Sequence, residues 1–156
     1  MALASLYSGG QTGVDRAALD AAIALDIPYG GWIPKGRLAE DGPIPHRYEL
    51  LRETESPDYD VRTERNVRDT DATLLLTFGP ATGGTRFTKA VVIRLARPML
   101  EIDLATADYP AATTTVRAWL AELGDGVRLN VAGPRASQAP LAYARARDLL
   151  LAVLRG

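Results

Sequence analysis

The chain has 156 residues, 47% of them hydrophobic, and its 18 basic and 19 acidic residues leave a formal net charge of −1. This predicts one domain with a sizeable core, and the balanced charge, without a basic run interleaved with aromatics, argues against a nucleic-acid partner. The chain has no cysteine, which excludes disulfides and thiolate sites. It shows no export signal and no apolar run long enough to span a membrane, so we expect a cytoplasmic protein with no membrane partner.

Short apolar runs alternate with helical patterns in the first half of the chain. A strand is predicted at Leu3–Ser8, and the helix after it repeats apolar residues at i, i+3, i+4 and i+7 over Val14–Leu25. A second, short strand is predicted at Tyr29–Ile33. Residues 34–60 are too rich in proline, glycine and charge to be regular throughout, so we expect a long loop there.

The second half continues the alternation. A helix predicted at Tyr59–Asp69 leads into Ala72–Phe78, whose unbroken apolar character is typical of a strand buried on both faces. The remaining predicted elements are a helical stripe at Phe87–Leu95, a strand at Pro98–Asp103, a helical stripe at Val116–Leu123, a strand at Val127–Gly133 and a helix at Ala142–Val153. Strands and helices in this order predict an α/β, Rossmann-like three-layer sandwich around a mainly parallel sheet of at least five strands.

Three glycine-bearing loops follow three of the predicted strands. Their sequences are SGGQTG, GPATGGT and NVAGPRASQ. Because the carboxyl ends of parallel strands share one edge of a sheet, we expect these loops to converge on a crevice. Two of them open onto helix N-termini, whose free N–H groups and dipole favour anions. The sequence therefore predicts a site for a phosphorylated small molecule.

Each loop supplies candidate ligand-binding residues. In the first loop, Thr12 could instead cap the helix, and Asp15 is either a hydrogen-bond acceptor for the ligand or an acidic residue favoured only by the helix dipole. In the second loop, Thr85 could instead be the helix N-cap, and in the third Arg135 could be a solvated surface charge. The full set of candidates is Gly9, Gly10, Gln11, Thr12, Asp15, Gly83, Gly84, Thr85, Asn130, Arg135 and Ser137.

Other polar residues give weaker signals. Lys35, just beyond the second strand, either adds positive potential over an anionic ligand or is solvated. His46 is the only histidine, so neither a catalytic triad nor a multi-histidine metal site can form around it. Adjacent acids at Glu40–Asp41 and Asp69–Asp71 do not by themselves place two carboxyl groups around a reacting bond. We therefore assign no catalytic and no metal-binding residues.

Five blocks of sequence carry a family resemblance: SGGQTGVDRAALDAA, GGWIPKGRLAEDGPIP, RTERNVRDTDATLLL, GPATGGT and NVAGPR. Together they resemble the molybdenum cofactor carriers, the circularly permuted YpsA-like branch of the SLOG superfamily, over nearly the whole chain. The resemblance implies a Rossmann-like fold with a nucleotide- or pterin-phosphate pocket at the strand carboxyl ends. It also implies molybdenum cofactor as the ligand and assembly into dimers or tetramers.

Other SLOG branches leave two alternatives open, a nucleotide sensor and an enzyme that hydrolyses nucleotide N-glycosidic bonds. The sequences of the hydrolytic branch, the phosphoribohydrolases, carry a motif similar to P-G-G-x-G-T-x-x-E, in which the glutamate acts at the ribose. Here Gly84 and Thr85 match that pattern, but Thr88 stands where the glutamate would be. A hydroxyl cannot replace a carboxylate in this role near neutral pH. The leading hypothesis is therefore a carrier or binding protein for a phosphate-bearing cofactor or nucleotide.

Overall fold

The computed structural model describes residues 3–156. The strands are β1 (Leu3–Tyr7), β2 (Tyr29–Gly30), β3 (Trp32–Ile33), β4 (Leu38–Ala39), β5 (Gly42–Pro43), β6 (Arg52–Glu53), β7 (Ala72–Thr77), β8 (Met99–Asp103) and β9 (Val127–Ala132). The helices are α1 (Val14–Ala24), α2 (Tyr59–Arg68), α3 (Gly83–Arg94), α4 (Tyr109–Leu123) and α5 (Ala142–Leu154). Within these described residues, no helix has the length and apolar character needed to cross a membrane.

The main sheet has five strands in the order β2-β1-β9-β7-β8, and every neighbouring pair runs parallel. Helices α1, α4 and α5 pack together on one face of the sheet, and α2 and α3 pack together on the other. This arrangement confirms the predicted α/β, Rossmann-like sandwich. It also brings the carboxyl ends of β1, β7 and β9 to one edge, because these strands are adjacent and parallel.

The two faces of the sheet differ in polarity. On β7, Leu74 and Leu76 join the large apolar core with α1, α4 and α5. On the α2 and α3 side the apolar cluster is small, built on Val67, Val91 and Val92. Buried polar groups lie in the sheet as well, and the Asn130 side-chain amide donates to Thr73 Oγ1 at 3.2 Å. The second face is thus polar enough to border a ligand site.

The predicted strand at Tyr29–Ile33 is wrong as one continuous element, because it breaks at Gly31. This glycine has a φ of +139°, and a Cβ there would lie 2.1 Å from the Ser8 carbonyl oxygen. After the break, β3 leaves the main sheet and pairs with β6. The long loop at residues 34–60 therefore contains β6, which pairs with β3, and the β4–β5 hairpin.

Two helices are longer than their apolar stripes indicated. Helix α3 begins at Gly83, and α4 begins at Tyr109 with Pro110 in its first turn. The Asp108 carboxylate caps α4 by accepting the Ala111 N–H at 3.3 Å. The first turn of α3 is poor in apolar residues, and that of α4 has a proline and two alanines in place of large apolar residues, so periodicity alone could not mark where these helices begin.

The tight approach of the β9 exit to α1 and β7 generates a stability prediction. A Cβ at Gly133 would lie 2.2 Å from the Leu76 carbonyl oxygen and 2.6 Å from Val14 Cγ2. We expect Gly133→Ala to lower the free energy of unfolding by about 2–3 kcal/mol, because backbone must move. Gly84→Ala is the control, since its Cβ would meet nothing within 4 Å, and it should leave stability unchanged or raise it by up to about 1 kcal/mol. Equal urea midpoints for the two variants would contradict this packing.

Candidate functional site

A crevice of about 180 Å³ opens at the carboxyl edge of the sheet. The loops after β1, β7 and β9 meet there, as expected, and α2 closes the remaining side. Helix α2 contributes Tyr59, Asp60, Arg62 and Thr63, and the other lining residues are Gln11, Asp15, Gly84, Thr85, Thr88, Ala132, Gly133, Arg135 and Gln138. Five of the twelve predicted binding residues therefore line this crevice: Gln11, Asp15, Gly84, Thr85 and Arg135.

The Arg62 guanidinium lies against the first glycine loop. A Cβ at Gly9 would be 3.0 Å from three of its guanidinium atoms, so the bare backbone of Gly9 makes room for it. Its Nη1 donates to Thr63 Oγ1 at 2.5 Å, and its centre lies 5.4 Å from the Tyr59 ring centroid. Nε is buried and, among the described residues, has no hydrogen-bond partner. Since a buried cationic N–H normally finds an acceptor, an unpaired Nε at this position favours an anionic ligand in the crevice.

The Asp15 carboxyl is the buried acid of the crevice, with only 4% of the residue exposed. Burial raises its pKa from the ordinary 3.8 to about 6, although the Arg62 charge and the N–H of Gln11 act in the opposite direction. That N–H donates to Asp15 Oδ2 at 3.2 Å. Ser8 Oγ donates to the Asp15 carbonyl at 2.8 Å and fixes the first turn of α1 against the loop. The crevice thus holds a hydrogen-bond acceptor that can also accept a proton near neutral pH.

The N-terminus of α3 forms a second wall. Thr82 occupies the N-cap position, so Thr85 lies in the first turn and is not the cap. The Thr85 N–H donates to the Thr82 carbonyl at 3.1 Å, and Thr88 Oγ1 donates to the Gly84 carbonyl at 2.9 Å. Gly84 is exposed with open space above it. Gly84 and Thr85 therefore bring the first turn of α3 to the crevice without a side chain over Gly84, and the helix dipole favours negative charge there.

Three predicted binding residues gather around Glu40, on the β4–β5 hairpin. Thr12 and Ser137 donate their hydroxyls to its carboxylate, and Arg135 Nε lies 3.7 Å from Oε1. Partial desolvation opposes these contacts, but the hydrogen bonds from Ser137 and Thr12 still hold the pKa of Glu40 below its usual range. Thr12 does not cap α1, whose N-cap is Gly13. Glu40 therefore links the first and third loops through these hydrogen bonds. Arg135, beside Glu40, also lines the crevice.

The remaining predicted residues lie outside the crevice lining. Gly10 has a φ of +74°, and a Cβ there would be 2.9 Å from Ile44 Cδ1. The absence of a side chain at Gly10 therefore allows the first loop to pack on Ile33 and Ile44. Asn130 is buried under the crevice, bonded to Thr73. The Lys35 residue is exposed, and its backbone N–H donates to Ser56. Gly83 lies beside Gln138, whose Nε2 would be 3.2 Å from an added Cβ.

The sequence analysis did not identify Arg62, Tyr59 or Gln138. Arg62 lies in α2, a ten-residue helix that is polar on average. The helix has no apolar stripe that would distinguish a buried arginine from its solvent-exposed neighbours. The signal that was available is the spacing of Thr63, Asn66 and Val67, which form the buried face of α2. A helix with polar residues on its buried side borders a polar site, and Arg62 adjoins that side.

Comparison with known proteins places the chain in a defined group. Residues 6–154 match the family described as "Circularly permutated YpsA SLOG family". The chain is also similar to a crystal structure from Syntrophus aciditrophicus SB named "Putative molybdenum carrier protein". The two are 44% identical with a TM-score of 0.93, over 99% of this chain and 96% of that one. No curated protein matches the chain.

The raised pKa of Asp15 predicts how stability changes with pH. Below about pH 4 the Asp15 carboxyl is protonated in both the folded and the unfolded state. Between about pH 4 and pH 6 it ionises in the unfolded chain but stays protonated in the folded protein, so the free energy of unfolding falls as pH rises. Asp15→Asn should therefore raise the free energy of unfolding by up to about 3 kcal/mol near pH 7.5, and the gain should vanish toward pH 4.

The control is Asp41→Asn. A hydrogen bond from Arg16 lowers the pKa of Asp41, so this variant should lose stability near neutral pH where Asp15→Asn gains it. Urea unfolding of both variants and the parent at several pH values measures the difference. A stability gain for Asp15→Asn that is the same at every pH would contradict the assignment.

Proposed function

The chain belongs to the circularly permuted YpsA SLOG family, and on this premise we propose that it binds or carries a small molecule with a phosphate group. Molybdenum cofactor is the leading candidate, and a nucleotide is the second. The proposal is supported by the name of the structure from Syntrophus aciditrophicus, with which this chain shares 44% identity. As in the family resemblance, we expect the protein to work as a homo-oligomer.

One observation carries the proposal: Arg62 Nε is buried at the crevice and has no hydrogen-bond partner within residues 3–156. A phosphate oxygen would satisfy this donor with a charge-assisted hydrogen bond. The same oxygen group would lie in front of the α3 N-terminus, where backbone amides and the helix dipole favour negative charge. Arg135 would add a second guanidinium from the opposite loop.

The donor set fits the phosphate end of a pterin cofactor. Arg62, Arg135 and the first turn of α3 would hold the phosphate, and Asp15 would accept from an N–H or O–H group of the ligand. A volume of about 180 Å³ is below the roughly 300–1,000 Å³ of sites that enclose a drug-sized molecule. The crevice therefore suits one end of the ligand, and a cargo held by one end can be passed on. Bound cofactor would supply metal redox chemistry to the enzyme that receives it.

Hydrolysis of a nucleotide N-glycosidic bond is the second candidate function, because Asp15 provides a carboxyl in the same crevice as Thr88. We expect no sustained turnover. The Thr88 hydroxyl is occupied by the Gly84 carbonyl and cannot act as the missing acid. Chromatography of AMP incubated with the protein should show no release of adenine. Multiple turnovers that disappear in Asp15→Asn would make the enzyme the better assignment.

Arg62→Met tests the guanidinium directly. If Arg62 makes charged hydrogen bonds to a phosphate, its loss should weaken AMP or molybdenum cofactor binding by about 1.5–3 kcal/mol, roughly ten- to a hundred-fold in Kd. Arg65→Met is the matched control. Arg65 lies on the same helix, but it pairs with Glu55 and stacks near Trp32, away from the crevice. Calorimetry should show parent-like affinity for this control, and equal losses in both variants would contradict the proposed contact.

Gly84→Asp and Arg135→Ala test the other two walls. Because space is open above Gly84, the aspartate variant should fold, yet its charge should repel a phosphate at the α3 N-terminus. Arg135→Ala should weaken binding about ten-fold or more if its guanidinium contacts the phosphate. Melting temperatures confirm that both variants fold. Unchanged affinity in both, for a ligand that the parent binds, would show that these loops are only turns.

A further inference from the structure

The crevice carries equal numbers of positive and negative side chains. Arg62 and Arg135 line it, and so do Asp15 and Asp60. Glu40 adds a further negative charge behind Arg135. With Glu40 included, these five groups sum to a net charge of −1, so a doubly charged anion entering this space meets no excess of positive charge. Because Asp15 is buried, its repulsion of the anion is the least screened by water. Two negative charges close together in a desolvated space are strongly unfavourable.

The surroundings of Asp15 show which groups could offset that repulsion. On its own helix, Arg16 is occupied by the Asp41 carboxylate and the Gly10 carbonyl. Across the crevice, α2 presents Arg62 and the loop after β9 presents Arg135. Tyr59 and Asp60 complete the titratable groups that face it from α2. Because Arg16 is paired with Asp41 and Arg135 lies beside Glu40, Arg62 would have to balance Asp15 and most of the charge of the ligand.

We propose that a doubly charged anion binds in this crevice together with one proton, which comes from solvent and is taken up by the Asp15 carboxyl. The inference rests on the proposed function, because it concerns the same crevice. Protonation removes the buried negative charge beside the ligand and frees Arg62 to pair with it. The new O–H also becomes a donor within the crevice, whereas the carboxylate could only accept.

Two further points support proton uptake at Asp15. Burial already raises its pKa to about 6, so an adjacent anion that raises it by about two further units keeps the carboxyl protonated through neutral pH. The carboxyl can also hold the proton without losing its contact with the loop, because the Gln11 N–H donates to Oδ2 and the proton can reside on Oδ1. A ligand that presents its own N–H or O–H to Asp15 would bind without the proton. The crevice would thereby distinguish such a ligand from a bare anion, and release bare anions as pH rises.

Sulfate is the probe, because it stays doubly charged from pH 5.5 to 8.5 and does not titrate in place of the protein. Calorimetry of the parent at several pH values should show the Kd rising with pH between the Asp15 pKa of the free protein and its higher pKa in the complex, approaching about tenfold per pH unit as one proton is linked to binding. Titrations in two buffers with different heats of ionisation should give close to one proton taken up per sulfate.

Two variants locate the proton. Asp15→Asn keeps an oxygen for the Gln11 N–H but cannot titrate, so sulfate should bind with a pH-independent Kd, at least roughly tenfold tighter than to the parent near pH 8. Asp60→Asn removes a charge from the same crevice at an exposed position. It should tighten sulfate binding modestly at every pH and keep the parent's pH dependence.

Sulfate binding to the parent that is independent of pH and takes up no proton would overturn the proposal while leaving the proposed function intact. Unchanged pH dependence in Asp15→Asn would overturn it as well, because the proton would then belong to another group. If neither sulfate nor AMP binds the parent at any pH, the proposed function fails together with this inference.

Discussion

The arrangement of the site depends on a guanidinium held beside a buried carboxyl. Arg62 lies against the backbone of Gly9, and its charge partly offsets the cost of burying Asp15. Neither group is fully satisfied, since Arg62 Nε has no partner among the described residues and burial raises the pKa of Asp15. Such a pair lowers stability, and a ligand can restore what is lost.

The rest of the fold holds this pair in place. The large apolar core on the α1, α4 and α5 side contains most of the buried apolar residues, so the opposite face can carry buried polar groups such as Asn130 and Thr73. Gly133 brings the β9 loop within contact of β7 and α1. Glu40 joins the first and third loops through Thr12 and Ser137. Strong packing on one face and cross-linked loops at the edge keep the crevice open.

The sequence predicted the sheet, the helices and the edge at which the loops meet, because the apolar periodicity and the positions of glycines after the strands are local signals. It also predicted Asp15, Gly84 and Arg135 as candidates, and these line the crevice. It did not predict Arg62, since an arginine in a polar helix resembles a solvated one until the partner loop is known. Nor did it predict the break at Gly31, which follows from a contact with Ser8 across two strands. Both depend on tertiary neighbours.

A crystal structure of the protein saturated with AMP, grown without sulfate or phosphate, tests the central claim most directly. The account predicts that an AMP phosphate oxygen lies within hydrogen-bond distance of Arg62 Nε, with the phosphate in front of the first turn of α3. AMP bound at another surface of the molecule, with the crevice and Arg62 unchanged, would contradict it.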